Sequence, residues 1–162
     1  MSRVIAHFSR RYHFSASHRL HVEALSEEVN RATFGKCNNP FGHGHNYVVE
    51  VTVSGPIDAA TGMVVNLSDL DLFAQREVLD LFDHANLNML EAFRDRVTTT
   101  ENVCVEMWSI FSRFAESKDY PQVRLERIGI EETGNNSFEY FGEGAPLRGS
   151  AWQEADPPLR EG

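Results

Sequence analysis

Between residues 47 and 53 the chain alternates Tyr47, Val49, Val51 and Val53 with Val48, Glu50 and Thr52. A period of two puts the first set on one side of an extended backbone and the second on the other. The segment is therefore expected to be a half-buried antiparallel strand that must find a sheet. The stretch leading into it reads Gly35-Lys-Cys-Asn-Asn-Pro-Phe-Gly-His-Gly-His-Asn-Tyr47, with a thiol at Cys37 and imidazoles at His43 and His45. If those two histidines open the strand, both point to one face, and Gly42 and Gly44 leave room for a metal to approach the backbone. Two imidazoles make half a zinc site. The best third ligand is His18, at the end of an earlier strand candidate. A three-histidine set leaves zinc's fourth position open, which distinguishes catalytic from structural zinc.

The rest of the chain reads as elements around that strand. Residues 4–15 are rich in β-formers, and 20–34 are polar enough for a loop or short helix. Gly55-Pro56 and Thr61-Gly62 punctuate a connection into the apolar run 63–65, which resembles a hairpin. Asn66 or Ser68 can cap a helix whose buried face is Leu70, Phe73, Ala74, Val78, Leu81 and Phe82. A second helix runs from about Thr99 to Ser117, where Thr98 and Glu101 have capping-box spacing. It carries two apolar stripes, Val103, Met107, Ile110 and Phe114 beside Cys104, Trp108, Phe111 and Ala115. Residues 123–132 form another strand with a bulge or bend near Glu126 and Arg127, and Gly134-Asn135-Asn136 turns it into 137–141. The expectation is an α+β fold, a four-stranded antiparallel sheet with two helices on one face.

At 162 residues the chain is long enough for one domain, expected over 1–142, with a disordered tail at 143–162 apart from a contact by Trp152. A net charge of −9 and a pI near 5.2 argue against nucleic acid as a partner. Should a ligand carry phosphate, local cations must outweigh that sign, and Arg10, Arg11, Arg19 and Lys36 flank the histidines in sequence. No secretory signal, detachable presequence or apolar run near the ~20 residues of a membrane span is evident. The expectation is a soluble, cytoplasmic protein with no membrane partner, Cys37 and Cys104 both reduced, and Cys104 a small core residue.

Several separated motifs together resemble the 6-pyruvoyl-tetrahydropterin synthase family: Phe14-Ser-Ala-Ser-His-Arg-Leu20, residues 34–47, Thr61-Gly-Met-Val64, Asp83-His84, Thr99-Thr-Glu-Asn-Val103 and Glu132-Thr-Gly-Asn-Asn136. Phe82 stands where leucine is usual, and Gly134 where an acidic residue is expected. The resemblance implies the tunnelling fold, in which sheets from three subunits close into a barrel and two trimers stack as a homohexamer, with active sites between subunits. It implies conversion of 7,8-dihydroneopterin triphosphate to 6-pyruvoyl-tetrahydropterin and triphosphate. It also implies zinc on His18, His43 and His45, with magnesium a further option on the triphosphate. By the same resemblance Cys37 is the base that takes a carbon-bound proton, and Asp83 and His84 are its acid-base partners. Glu132 anchors the pterin, and Thr99, Thr100 and Glu101 line the pterin pocket.

Two alternatives stay open at this level. One is 6-carboxy-tetrahydropterin synthase of queuosine biosynthesis, against which the five residues between Cys37 and His43 argue, since that branch has a shorter spacer. The other is a non-catalytic zinc-stabilised oligomer, which would need none of Cys37, Asp83, His84 or Glu132.

Overall fold

The alternating segment is the middle of a longer strand, β2 (His43–Pro56), which pairs antiparallel with β1 (Ile5–His18) along its whole length. The computed structural model describes residues 4–144, so Trp152 and the tail from residue 145 lie outside the described residues. Phe14 stands opposite Tyr47, and the same register carries on to set His18 opposite His43. Tyr12, Phe14 and Ala16 of β1 are buried on one face with Tyr47, Val49, Val51 and Val53 of β2. The other face carries Ser9, Arg11, Glu50 and Thr52, tied by a Ser9–Thr52 hydroxyl bond and by Arg11 pairing with Glu131.

Beyond β2 come β4 (Arg124–Thr133) and β5 (Asn136–Tyr140), both antiparallel. Thr52 pairs with Arg127 but Val53 with Leu125, so Glu126 is the extra residue of a bulge, at the position where the sequence changes parity. The sheet has five strands rather than the expected four, in the order β3-β1-β2-β4-β5. The addition, β3 (Ala85–Asn86), pairs in parallel with Ala16 and Ser17 of β1, and a strand of two residues leaves no periodicity to detect. The expected hairpin at 63–65 does not form. Met63 and Val64 sit in the loop after Pro56, where Val64 packs against Gly55 instead of pairing.

Helices cover the core face. The polar stretch ahead of the Cys37 turn contains α1 (Glu27–Phe34), capped by Ser26. The first long helix begins at Asn66, whose side chain accepts from the Ser68 backbone N–H, and runs as α2 (Leu67–Ala74). Gln75–Leu79 then widens into a π-helical turn before α3 (Asp80–Phe82). A π turn takes one residue more than an α turn, so the apolar phase slips. Leu79 packs on the core and Leu81, expected inside, is 54% exposed.

The last helix, α4 (Thr100–Ala115), packs on β4 and β5. Both of its apolar stripes are inside, with Trp108 partly covered and edge-on to Tyr140. Cys104 is buried among them as expected. The cap differs from expectation: Thr99, not Thr98, accepts from the Asn102 N–H. Thr98 is fully buried and turned to a different task.

Candidate metal and pterin site

The buried face of β1 and β2 does not end in another apolar layer. After Phe14 and Ala16 on β1 comes His18, and before Tyr47 on β2 come His45 and His43, so the last layer of the core is three imidazoles. Their rings lie 4.7, 4.8 and 5.2 Å apart at steep angles. One ring nitrogen from each falls within 4.8 Å of the other two. Tetrahedral zinc with bonds of about 2.0–2.1 Å needs ligand nitrogens about 3.3 Å apart. Nε2 of His18 and Nε2 of His43 face each other at 3.1 Å. Nε2 of His45 is buried with no hydrogen-bond partner among the described residues. A metal ion satisfies all three nitrogens at once, and this donor set fits one.

The tautomer of His18 is fixed from behind. Its Nδ1–H donates to the carbonyl of Thr98 at 2.7 Å, which leaves Nε2 as a lone pair aimed at the site. Burial lowers the pKa of His18, opposed by the Thr98 bond and reinforced by the neighbouring imidazoles, and burial likewise lowers that of His43. Both shifts favour the neutral ring that binds metal. Gly42 and Gly44 are needed by the neighbouring strand as well as by any ligand. A Cβ at Gly42, where φ is +71°, would lie 2.9 Å from the His18 carbonyl oxygen. One at Gly44 would lie 3.3 Å from that of Ala16.

Glu132 lies beside the imidazoles. Ile128 and Ile130 of β4 face the core, and Glu132 follows on the same side, while Glu131 faces away and pairs with Arg11. The β4–β5 register skips at this point, from Glu131 opposite Ser137 to Thr133 opposite Asn136, so Glu132 has no partner across the hairpin. Its Oε1 accepts from the Thr100 hydroxyl at 2.5 Å and stands 3.8 Å from His45 Nε2 and 4.0 Å from His18 Nε2. Of the three residues expected around a pterin, only Thr100 touches this carboxylate. Thr99 caps α4, and Glu101 is exposed on its first turn.

Cys37 sits in a 3-10 turn, Gly35–Asn38, docked against the residues just after His18. Leu20 N–H donates to the Cys37 carbonyl at 2.8 Å, and the buried Asn38 amide donates to the Leu20 carbonyl at 2.8 Å. The Cys37 thiol is raised by burial first and then by the charge of Glu132. A thiolate there would need a compensating cation, which a metal held by His18, His43 and His45 would supply.

Among the described residues Asp83 and His84 make no direct bond to this group, although His84 borders the same hollow as His45. They lie along the β1 edge, where Asp83 Oδ1 accepts from the Ser15 N–H at 2.8 Å and the His84 N–H donates to the Ser15 carbonyl at 2.6 Å. Asp83 Oδ2 is 3.0 Å from His84 Nδ1. His84 holds a left-handed backbone, φ 58°, is 84% exposed at its side chain, and borders a hollow with Ser15, Ser17 and Asn46. Among the described residues no hydrogen bond or ion pair joins this pair to Cys37 or to the three histidines. Sequence reasoning read Thr98 as a helix cap and gave Asn38 and Asn88 no positioning role, yet these groups hold His18, Leu20 and Arg19 in place. Each acts through or upon backbone atoms, which no motif spacing encodes.

Fold and site together define an α+β protein whose sheet ends in a cradle that fits one metal ion beside a half-buried carboxylate. Residues 7–143 match the family model of 6-pyruvoyl tetrahydropterin synthase. The chain is 50% identical over 139 residues to human 6-pyruvoyl tetrahydrobiopterin synthase, covering 85% of this chain and 92% of that protein. It is 44% identical over 146 residues to the Drosophila melanogaster enzyme of the same name, covering 90% and 84%. The solved structure of Caenorhabditis elegans 6-pyruvoyl tetrahydropterin synthase superposes with a TM-score of 0.79 at 42% identity, covering 88% of this chain and 99% of that one. The chain belongs to the 6-pyruvoyl tetrahydropterin synthase family.

Proposed function

We propose that this chain is a zinc-dependent lyase that converts 7,8-dihydroneopterin triphosphate to 6-pyruvoyl-tetrahydropterin and triphosphate in tetrahydrobiopterin-type synthesis. The observation that carries this reading is Glu132 lying 3.8 Å from His45, so a carboxylate suited to a pterin edge adjoins the metal cradle. Relatives named as synthases of this product, at up to 50% identity among those compared, support it. Glu132 accepts two N–H bonds from the amino-pyrimidinone edge, and Thr100 fixes which way the carboxylate faces. Zinc held by His18, His43 and His45 supplies Lewis-acid stabilisation of negative charge on the substrate's side-chain oxygens. Cys37, as thiolate, takes the carbon-bound proton, and a neighbouring subunit's copy of the Asp83-His84 pair exchanges protons on the other side of the side chain. The exposure of His84 supports a role across an interface, in the barrel-forming hexamer of the tunnelling fold, located in the cytoplasm.

Product analysis tests this. Zinc-loaded protein is incubated with 7,8-dihydroneopterin triphosphate and the pterin identified by mass spectrometry. A pyruvoyl side chain with released triphosphate is expected. A carboxyl side chain would move the chain to the queuosine branch, and unchanged substrate with zinc bound would sink the enzymatic reading.

A further inference from the structure

Two of the cations that flank the histidines in sequence are turned to acids: Arg10 forms a two-bond pair with Asp71, at 3.0 and 2.9 Å, and Arg11 pairs with Glu131. Arg19 reaches instead to the turn that carries Cys37, where its Nε–H donates to the Asn38 carbonyl at 3.1 Å. The next residue binds the same turn, with Leu20 N–H donating to the Cys37 carbonyl at 2.8 Å. His21 follows, a histidine outside the set that can hold a metal, and its side chain is only 12% exposed.

The bond that holds His21 also fixes which of its nitrogens carries the proton. Asn38 is buried, and its side-chain nitrogen lies 2.8 Å from the Leu20 carbonyl oxygen and 3.0 Å from His21 Nδ1. A carbonyl oxygen only accepts, so the Leu20 contact requires the NH2 end of the amide at that place. With one of its two hydrogens given to Leu20, the other falls to His21. Nδ1 is then a lone pair, which puts the ring proton of the neutral imidazole on Nε2. Nε2 stands 3.8 Å from Glu23, beyond hydrogen-bond reach, and that side chain is 97% exposed. The ring is therefore held from its Nδ1 side, by the residue that directly follows Cys37 in the chain.

The thiol is carried on a turn of four residues, Gly35–Asn38, and the bonds from Arg19, Leu20 and His21 tie that turn to the segment leaving β1. We propose that His21 is a positioning residue for Cys37: as a neutral imidazole it accepts the second hydrogen of Asn38 and so keeps the turn docked with its thiol in place. The inference rests on the reading above in which Cys37 is the base, and its first two tests need no turnover.

The tests use zinc-loaded protein with His21→Asn and His21→Phe. Asparagine places its side-chain oxygen close to where Nδ1 stands and keeps an acceptor, whereas phenylalanine keeps the ring volume and removes it. In the unsubstituted protein, 15N spectra of the histidine rings at about pH 8 should show His21 with Nδ1 unprotonated and Nε2 protonated. Exchange of the Leu20 amide hydrogen, bonded to the Cys37 carbonyl, should quicken about fivefold in His21→Phe, the loss of one hydrogen bond, and return towards the original rate in His21→Asn. With 7,8-dihydroneopterin triphosphate, His21→Phe should lower kcat about fivefold with little change in KM, and His21→Asn should restore it. Glu23→Gln, on the Nε2 side of the ring, should alter neither measurement, and zinc content should stay the same in all. A proton on Nδ1, unchanged Leu20 exchange or kcat in His21→Phe, or an equal loss in His21→Asn would each overturn the proposal. If the ring and the amide behaved as expected while the unsubstituted protein turned over no substrate, the clamp on the turn would stand and the synthase reading would fall.

Discussion

His18 is restrained from three directions: Thr98 behind its Nδ1, Asn88 on the next residue, and the carbonyl contact that Gly42 permits in front. Gly42→Ala therefore attacks the cradle without removing a ligand. Its left-handed backbone and the 2.9 Å approach to His18 should together cost about 1–3 kcal/mol. The expected result is lower zinc content and a lower Tm, and wild-type values for both would show that the loop relaxes freely. The two thiols should part in reactivity. Burial pushes Cys104 up to about 12, so it stays protonated and shielded at pH 8, whereas Cys37 is partly exposed. Iodoacetamide followed by peptide mass spectrometry should find label on Cys37 and none on Cys104.

Among the elements, the loop after β2 shows a simple pH dependence. Asp58 is held below the usual carboxylate range by the Thr61 backbone N–H, then the Thr61 hydroxyl and the Ala60 N–H. A depressed carboxylate stabilises the folded turn above its unfolded pKa, and that contribution disappears as pH falls through the lower folded value. The Thr61 amide resonance should follow this titration, and Asp58→Asn should flatten it. The strands themselves were legible where side-chain chemistry repeats: Tyr47 to Val53 announces β2, and the parity change at Glu126 announces the bulge. The histidine ends of β1 and β2 were legible only through the chemistry of His18, His43 and His45, because there the alternation carries imidazoles in place of apolar residues. The three histidines themselves stood out by residue type and spacing. Thr98 did not, since its carbonyl, common to every residue, makes the contact.

At the scale of the whole molecule, no hydrogen bond or ion pair among the described residues joins Cys37 to the Asp83-His84 pair. If they meet across an interface, Cys37→Ala and His84→Ala variants, each inactive alone, should regain part of the activity when unfolded together and reassembled. No recovery in mixed oligomers would mean that each chain works with its own residues. That arrangement also gives consequence to the π turn at Gln75–Leu79. The extra residue is taken up in the wide turn between α2, packed on the core, and the segment that delivers Asp83 to Ser15. Removing the extra residue should restore a regular turn and leave the downstream segment near its present orientation, whereas removing a residue from the regular turns of α2 should rotate everything downstream by about 100°. A deletion in α2 would carry Asp83 away from the Ser15 backbone, so this helix tolerates a change of length at its wide turn more readily than elsewhere.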